Sequence, residues 1–365
     1  MGDIKLKKGT GILFVMAVLF ISSLIYLHYG DQNTLRVGIF YGSNWEVPGT
    51  VHYEILDQAI KKFESKYPNV KVEYEKGILS NDYSEWLSEQ ILKGTEPDVY
   101  LVLDEDFNTL ASLGALKNLD MLVGGDKEFD FNVFYSSVYK AGQYEGSQYA
   151  LPMECNPTLM FVNKTLLQKE GIKVPDNDWT WDDFYDICKT IVKDSDGDGQ
   201  MDQFGCYDYT WIQAVYSNGI TPFNQSGTSS NFLDEKFSQS LEFVKRLEAT
   251  NRNYQVTSND FDLGKVAFRP FTFSDYRTYM PYPWRIKKYS GFEWTCIRMP
   301  AGPSGDNRSE MSALMAGMSS RTEKKQCAWD FVKLLTTDTD IQKLVYEDTL
   351  SLIHISEPTR LRCIS

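Results

Sequence analysis

Between Leu35 and Leu103 the chain switches its hydrophobic period four times, and that rhythm constrains the fold more than any other feature. Leu35-Arg36-Val37-Gly38-Ile39-Phe40 alternates and is rich in β-branched and aromatic residues, which predicts a strand. Gly42-Ser43-Asn44 breaks it. Tyr53, Leu56, Ile60 and Phe63 then recur at helical spacing, and Pro68-Asn69 ends that helix. Val70-Lys71-Val72-Glu73-Tyr74 predicts a second strand. Trp86, Leu87, Ile91 and Leu92 mark a second helix, stopped near Gly94 and Pro97. Asp98-Val99-Tyr100-Leu101-Val102-Leu103 is apolar almost throughout, as a parallel strand covered on both faces must be. Strand, helix, strand, helix, strand is the pattern of a doubly wound α/β lobe, whose ligands bind beyond the carboxyl ends of the strands. That rule makes Ser43, Asn44, Trp45 and Glu46 candidates after the first strand, and Asp104 and Glu105 after the third. Ordinary loop polarity is the alternative for each of them.

The rest of the chain is long enough to build a second lobe. It has 365 residues, 42% of them hydrophobic, which exceeds what one small core needs. Tyr149-Ala150-Leu151-Pro152-Met153-Glu154, followed by Leu159-Met160-Phe161-Val162, predicts a strand crossing between lobes. A helix from Lys164 to Glu170 closes on Gly171. Another opens at Trp179-Thr180-Trp181-Asp182-Asp183-Phe184, with Thr180 as N-cap and Asp183 completing a capping box. Phe232 to Leu247 predicts an amphipathic helix. Met299-Pro300-Ala301-Gly302-Pro303 is a turn-rich return, and Ala328 to Leu335 a late helix with Trp329 and Phe331.

Charge and cysteine content narrow the partners. The formal net charge of −13 repels phosphate backbones and sets nucleic acid aside. Six cysteines (Cys155, Cys188, Cys206, Cys296, Cys327 and Cys363) are scattered without a CxxC pair, and only three histidines accompany them. Neither a zinc site nor a disulfide framework fits that spacing; buried apolar packing does.

Both ends stand apart from the α/β pattern. Lys5, Lys7 and Lys8 precede an uncharged stretch from Ile12 to Leu27, and bulky Tyr26, Leu27, His28 and Tyr29 follow where a signal peptidase needs small residues. Residues 1–30 are therefore expected to be cytoplasmic lysines plus an uncleaved transmembrane signal anchor, with cleaved secretion as the alternative. At the other end, Leu350-Ser351-Leu352-Ile353-His354-Ile355-Ser356-Glu357-Pro358-Thr359-Arg360 resembles the translation of a sequencing-library adapter. Residues 350–365 are expected to lie outside the natural fold.

Several of these stretches, taken in order, resemble the family 1 extracellular solute-binding proteins of ABC sugar importers. Tyr149-Ala150-Leu151-Pro152, Asn156, Leu159 and Phe161-Val162-Asn163-Lys164 look like that family's crossing strand. Gly171-Ile172, Pro175, the Trp179–Phe184 run, Met299–Pro303 and Ala328-Trp329-Asp330-Phe331-Val332-Lys333-Leu334-Leu335 follow in the family's sequence, and the likeness spans residues 35–349. The resemblance implies a two-lobed α/β fold of the periplasmic-binding-protein type II kind, each lobe a sheet flanked by helices. Lobe one would take residues 35–153, with 296–349 returning to it, and lobe two residues 154–295. The family's last crossing and final helices find no counterpart, in keeping with the adapter reading. The resemblance also implies capture of a sugar or oligosaccharide by hinge closure, and delivery to the transmembrane subunits of an ABC importer. The protein would act as a monomer on the extracellular face of the bacterial cytoplasmic membrane, and not as an enzyme.

Sugars present C–H groups on the ring face and hydroxyls at its edge, so a binder needs aromatic faces beside planar polar groups. Trp45 with Glu46, Asp104, Glu154 with Asn156, Tyr209 with Trp211, and Phe273 with Tyr276 offer that combination, although any of these aromatics could equally serve the core. A second motif is sharper. Asp194-Ser195-Asp196-Gly197-Asp198-Gly199-Gln200-Met201-Asp202 places carboxylates at positions one, three, five and nine of an EF-hand-like loop, with glycine at six. Gln200 would offer its backbone carbonyl. Gly205 replaces the bidentate glutamate at position twelve, so another group such as Asp208, or water, would have to complete a structural calcium site. An acidic surface turn is the alternative. Two rival functions have requirements of their own. A membrane-anchored carbohydrate-active enzyme would need two carboxylates facing each other across a bond. A sugar sensor would need a signalling domain, and none is attached.

Overall fold

The structure is a computed structural model that describes residues 33–42, 52–224, 227–275 and 291–349, together with Met16. The expected anchor in residues 1–30 and the tail at 350–365 lie outside these residues, apart from Met16. Among the described residues no helix is long and apolar enough to cross a membrane.

The opening rhythm folds as its periods dictate. Strand β1 (Thr34–Gly38) buries Leu35 and Val37, and helix α1 (His52–Lys66) turns Ile55, Leu56, Ala59 and Phe63 inward. Strand β2 (Lys71–Tyr74) and helix α2 (Ser80–Lys93) follow. Gly94 ends α2 in the left-handed region at φ 72°, where a side chain would be strained. All four residues of β3 (Val99–Val102) are buried. Helices α3 (Asp104–Ser112), α4 (Asp120–Gly125) and α5 (Ser136–Ala141) complete this part, with a small hairpin of β4 (Gln143–Tyr144) and β5 (Ser147–Gln148).

Strand β6 (Ala150–Asn163) is the pivot of the molecule. Helices α6 (Lys164–Lys169) and α7 (Trp181–Ile191), strand β7 (Phe204–Cys206), and helices α8 (Trp211–Ser217), α9 (Glu235–Glu248) and α10 (Ser258–Asp262) come next. Strands β8 (Val266–Thr272), β9 (Trp294–Ile297) and β10 (Met311–Met318) and helices α11 (Lys325–Thr337) and α12 (Thr339–Thr349) finish the described chain.

The strands order as β2-β1-β3-β10-β6-β8-β7, with β9 also pairing β6. The pairings of β1 with β2 and with β3, and of β7 with β8, are parallel; β10 and β6 are antiparallel to their neighbours. The first half of β6, Ala150 to Pro157, pairs with β10. Its second half pairs with β8 from Thr158 and with β9 from Met160. One strand thus belongs to two half-sheets, each of which has its own core. Phe40, Phe63, Tyr83, Phe107, Trp329 and Phe331 sit in the first. The second half-sheet is packed on both faces, by Trp181, Phe184, Phe243 and Phe268 on one and by Phe161, Phe204, Phe261 and Phe271 on the other. These are the two lobes, and the chain passes between them at Pro157–Thr158. It re-enters the first half-sheet through β10, from Met311. Cys296, where the sequence places the return, still pairs with Phe161 in the second half-sheet.

Local signals are realised where the chemistry is short-range. The Thr180 hydroxyl accepts from the Asp183 N–H at 3.3 Å, and the Asp183 carboxylate accepts from the Thr180 N–H at 2.8 Å, closing the capping box. The helix read from Phe232 starts at Asp234, whose carboxylate accepts from the Lys236 N–H, and this leaves Phe232 in the preceding turn. Cys155, Cys188, Cys206 and Cys296 are buried and Cys327 is half-buried; all five are free thiols.

Candidate functional site

The carboxyl end of β3 and the amino end of α3 put Asp104 at the inner edge of lobe one. Asp104 is open to solvent, yet protein crowds round it. Lost hydration, reinforced by the neighbouring Glu105, raises its carboxyl to about 6. Opposite stands Tyr216, half-buried in the last turn of α8. Burial raises the Tyr216 phenol, and the charges of Glu310 and Asp104 raise it further. Asp104 after β3 and Glu310 before β10 lie at the same end of this antiparallel pair, and Tyr216 borders the same space.

The floor of that space is the crossing itself. On β6, Glu154, Asn156 and Thr158 alternate onto one side of the strand. All three are buried, Glu154 completely, and in register Glu154 lies opposite Leu314 and Asn156 opposite Ser312. The Thr158 N–H donates to the Glu310 carbonyl at 3.1 Å and its hydroxyl to Glu310 Oε1 at 3.2 Å. Gln213 Nε2 donates to the same Oε1 at 2.9 Å. The Gln213 carbonyl oxygen meanwhile accepts from the Thr210 N–H at 2.9 Å and from its hydroxyl at 2.6 Å, in the capping box that starts α8. Both ends of the Gln213 amide are thereby fixed, and α8 is tied to the hinge through Glu310. Trp211 opens α8; it is 38% exposed and leans on Phe237 at 5.7 Å between ring centroids.

Two sequence candidates turn out to be core. Tyr209 is buried, with its hydroxyl 3.1 Å from Trp181 Nε1 and 3.4 Å from the Ser217 hydroxyl. Its ring packs edge-on to Phe184 at 5.1 Å. Two residues on, the helix start turns Trp211 outward instead. Phe273 is likewise buried, in the aromatic cluster beside Phe271 and Phe261. Trp45, Glu46 and Tyr276 lie outside the described residues. The reading from sequence missed Thr158, Gln213, Tyr216 and Glu310. Thr158 could have been found by continuing the alternation of Glu154 and Asn156, and Gln213 from the Thr210-x-x-Gln213 capping pattern. Glu310 and Tyr216 acquire their meaning only from tertiary contact.

The acidic loop between α7 and β7 closes through the isolated bridge between Lys193 and Gln203. Carboxylate oxygens of Asp194, Asp196 and Asp202 come within 4.8 Å of one another. Asp194 accepts from the N–H groups of Gly199 (2.7 Å) and Gly197 (2.6 Å), and these bonds hold its carboxyl below the usual range. Asp202 accepts from the Ser195 hydroxyl at 2.7 Å. Asp198 does not join the cluster; its Oδ1 turns back to the Gln200 N–H at 2.7 Å. Position twelve is glycine for a packing reason: a Cβ on Gly205 would collide with Cys188 of α7. Asp208 lies instead along a recess with Tyr254 and Asn251, outside the three-carboxylate cluster.

A recess of about 660 Å³ at the opposite end of the parallel strands is a structural junction. Two ion pairs cross it, Arg321 with Glu96 at 2.6 Å and Lys324 with Asp98 at 3.2 Å.

A family described as bacterial extracellular solute-binding protein matches residues 48–341. One curated relative, the multiple sugar-binding protein of Streptococcus mutans, is 28% identical over 138 residues. That match covers 37% of this chain and only 30% of the relative. Among solved structures, UspC of M. tuberculosis superposes with a TM-score of 0.71 at 16% identity, covering 88% of this chain and 81% of that one. The sugar-binding protein MalE of Xanthomonas citri gives 0.68 at 17% identity, covering 88% and 79%. An ABC substrate-binding protein of Listeria monocytogenes, solved with cycloalternan, gives 0.62 at 23% identity, with the same coverage. At these identities the structural likeness establishes the two-lobed fold.

Proposed function

The chain belongs to the bacterial extracellular solute-binding proteins, and from that premise we propose that it captures a sugar between its lobes and delivers it to an ABC importer. The observation that carries this reading is the double membership of β6. A strand shared by two half-sheets, with Asn156 and Thr158 at the crossing, Asp104 at the end of β3 in one lobe and Tyr216 in α8 of the other, would serve as a hinge lined with groups able to bind hydroxyls. A sugar touching both walls binds the closed form better than the open form. That difference in affinity closes the hinge, a motion for which this class of proteins is a standard example. The closed form then docks, as a monomer, on the importer's transmembrane subunits. The printed names of the relatives, multiple sugar-binding protein and MalE, support a sugar as the ligand.

The protein binds and does not catalyse in this reading. It works at the outer face of the cytoplasmic membrane, held by an N-terminal anchor. Incubation with mannobiose, maltotetraose and cycloalternan tests the first point: a thermal shift with the sugar recovered intact supports a binder, and shorter products overturn it. Fractionation of cells tests the second, since a chain found free in the medium has no anchor.

The loop of Asp194, Asp196 and Asp202 binds a structural calcium ion in this reading, with the Gln200 carbonyl as a further oxygen. Chelator should then lower the melting temperature of lobe two, and an unchanged melting curve would sink the idea.

A further inference from the structure

We propose that the cleft sorts sugars by charge, accepting neutral ones and refusing those that carry a carboxylate, and that Asp104 and Glu310 do the sorting. The inference rests on the sugar-capture reading and specifies the ligand class for the same cleft. Its ground is the placement of charge. Asp104 follows β3 and Glu310 immediately precedes β10, and because these strands pair antiparallel, with Val102 opposite Met315, both carboxylates lie at the same end of the sheet; there Glu310 Oε1 is held by Thr158 of the crossing and by Gln213 of α8, the helix that carries Tyr216. Glu105 is the other charge acting on Asp104. Asp106, next in α3, is turned away to the Ser84 hydroxyl.

Nothing described neutralises this set. The donors that fix Glu310 Oε1 are a hydroxyl and an amide, so its charge is oriented but not cancelled. The nearest cation along the chain, Arg308, is spent on Asp306 at 2.6 Å. Among the described residues no lysine or arginine forms an ion pair with Asp104, Glu105 or Glu310. A sugar hydroxyl can donate to a carboxylate and stabilise it. A ligand carboxylate cannot donate, and it adds a like charge where hydration is already reduced.

The test begins with whichever of mannobiose and maltotetraose binds more tightly and the same sugar oxidised at its terminal C6 to the uronate. Calorimetric titration at about pH 7.5 should show the uronate binding at least about tenfold more weakly, since two like charges at a few ångströms in a half-hydrated cleft oppose each other. In the Asp104→Asn, Glu310→Gln double variant the gap should shrink to within about threefold. The wild-type protein supplies a second reading should that variant fail to fold. Lowering the pH to about 5 protonates Asp104 while the uronate stays ionised, so the gap should narrow. Equal affinity for the two sugars overturns the proposal, and so does a gap that survives both the double variant and the lower pH. Failure to bind any neutral sugar would overturn the capture reading itself, before a charged ligand is added.

Discussion

Asp104 shows how one residue carries both a functional expectation and a stability consequence. Its carboxyl is raised to about 6 in the folded protein, above the ordinary value of 3.8, because hydration lost to the surrounding protein, and then Glu105, disfavour the ion. Folding therefore takes up a proton between those two values. The penalty is absent below about pH 4 and complete above about pH 6, so stability is lost as the pH rises through that window. Because the side chain remains open to water, the penalty is screened to about 1 kcal/mol or less. Asp104→Asn should raise the melting temperature slightly at about pH 7.5 and leave it unchanged at about pH 4. Thermal melts at the two pH values check this, and an equal effect at both would count against a titrating cause. Asp104 could be read from the sequence, because the end of a buried parallel strand is a position that the α/β pattern fixes. Tyr209 and Phe273 are buried, and local sequence does not show this, because an aromatic beside a turn can face the core or the cleft, as Tyr209 and Trp211 do on either side of Thr210.

At the scale of elements, the sequence was most legible where a signal is completed within a few residues. The Thr180–Asp183 box needs only one turn of chain, and it forms as read. Thr180→Ala leaves the Asp183 N–H in the first turn of α7 without its acceptor and should destabilise lobe two by about 1 kcal/mol. Urea unfolding followed by the fluorescence of Trp179 and Trp181, both in that core, measures it; Thr180→Ser should restore most of the loss. Strand β6 was read as two pieces because Asn156 and Pro157 interrupt its apolar run. Both are accommodated because β10 leaves off and β8 takes over at that point. Partner exchange of this kind is set by strands more than a hundred residues away, and no local period records it. The same limit hid the join between Gln213 and Glu310, which are 97 residues apart.

At the scale of the whole molecule, the described residues form two half-sheets joined through β6, the second packed by a cluster on each face, with α11 and α12 packed against the first. The sugar-capture reading predicts a change in the angle between lobes about the Pro157–Thr158 crossing. A bound sugar that bridges the lobes should shrink the radius of gyration measured by small-angle scattering. At a hundredfold excess over its Kd it should also stabilise the fold by about 2.7 kcal/mol. Scattering curves that coincide with and without a saturating sugar would argue against closure.

The shared strand has one more consequence. A cut after Pro157 would hand half of β6 to each fragment, and each half-strand would lose the neighbour that continues it. Both pieces would then present unpaired backbone to solvent, the surface on which chains stack edge to edge and precipitate. The lobes are thus distinct in shape but not in manufacture: the cut also parts β10, α11 and α12 from the rest of the first lobe, so neither fragment should remain soluble alone, whereas the two produced together should find each other through β10 and that seam.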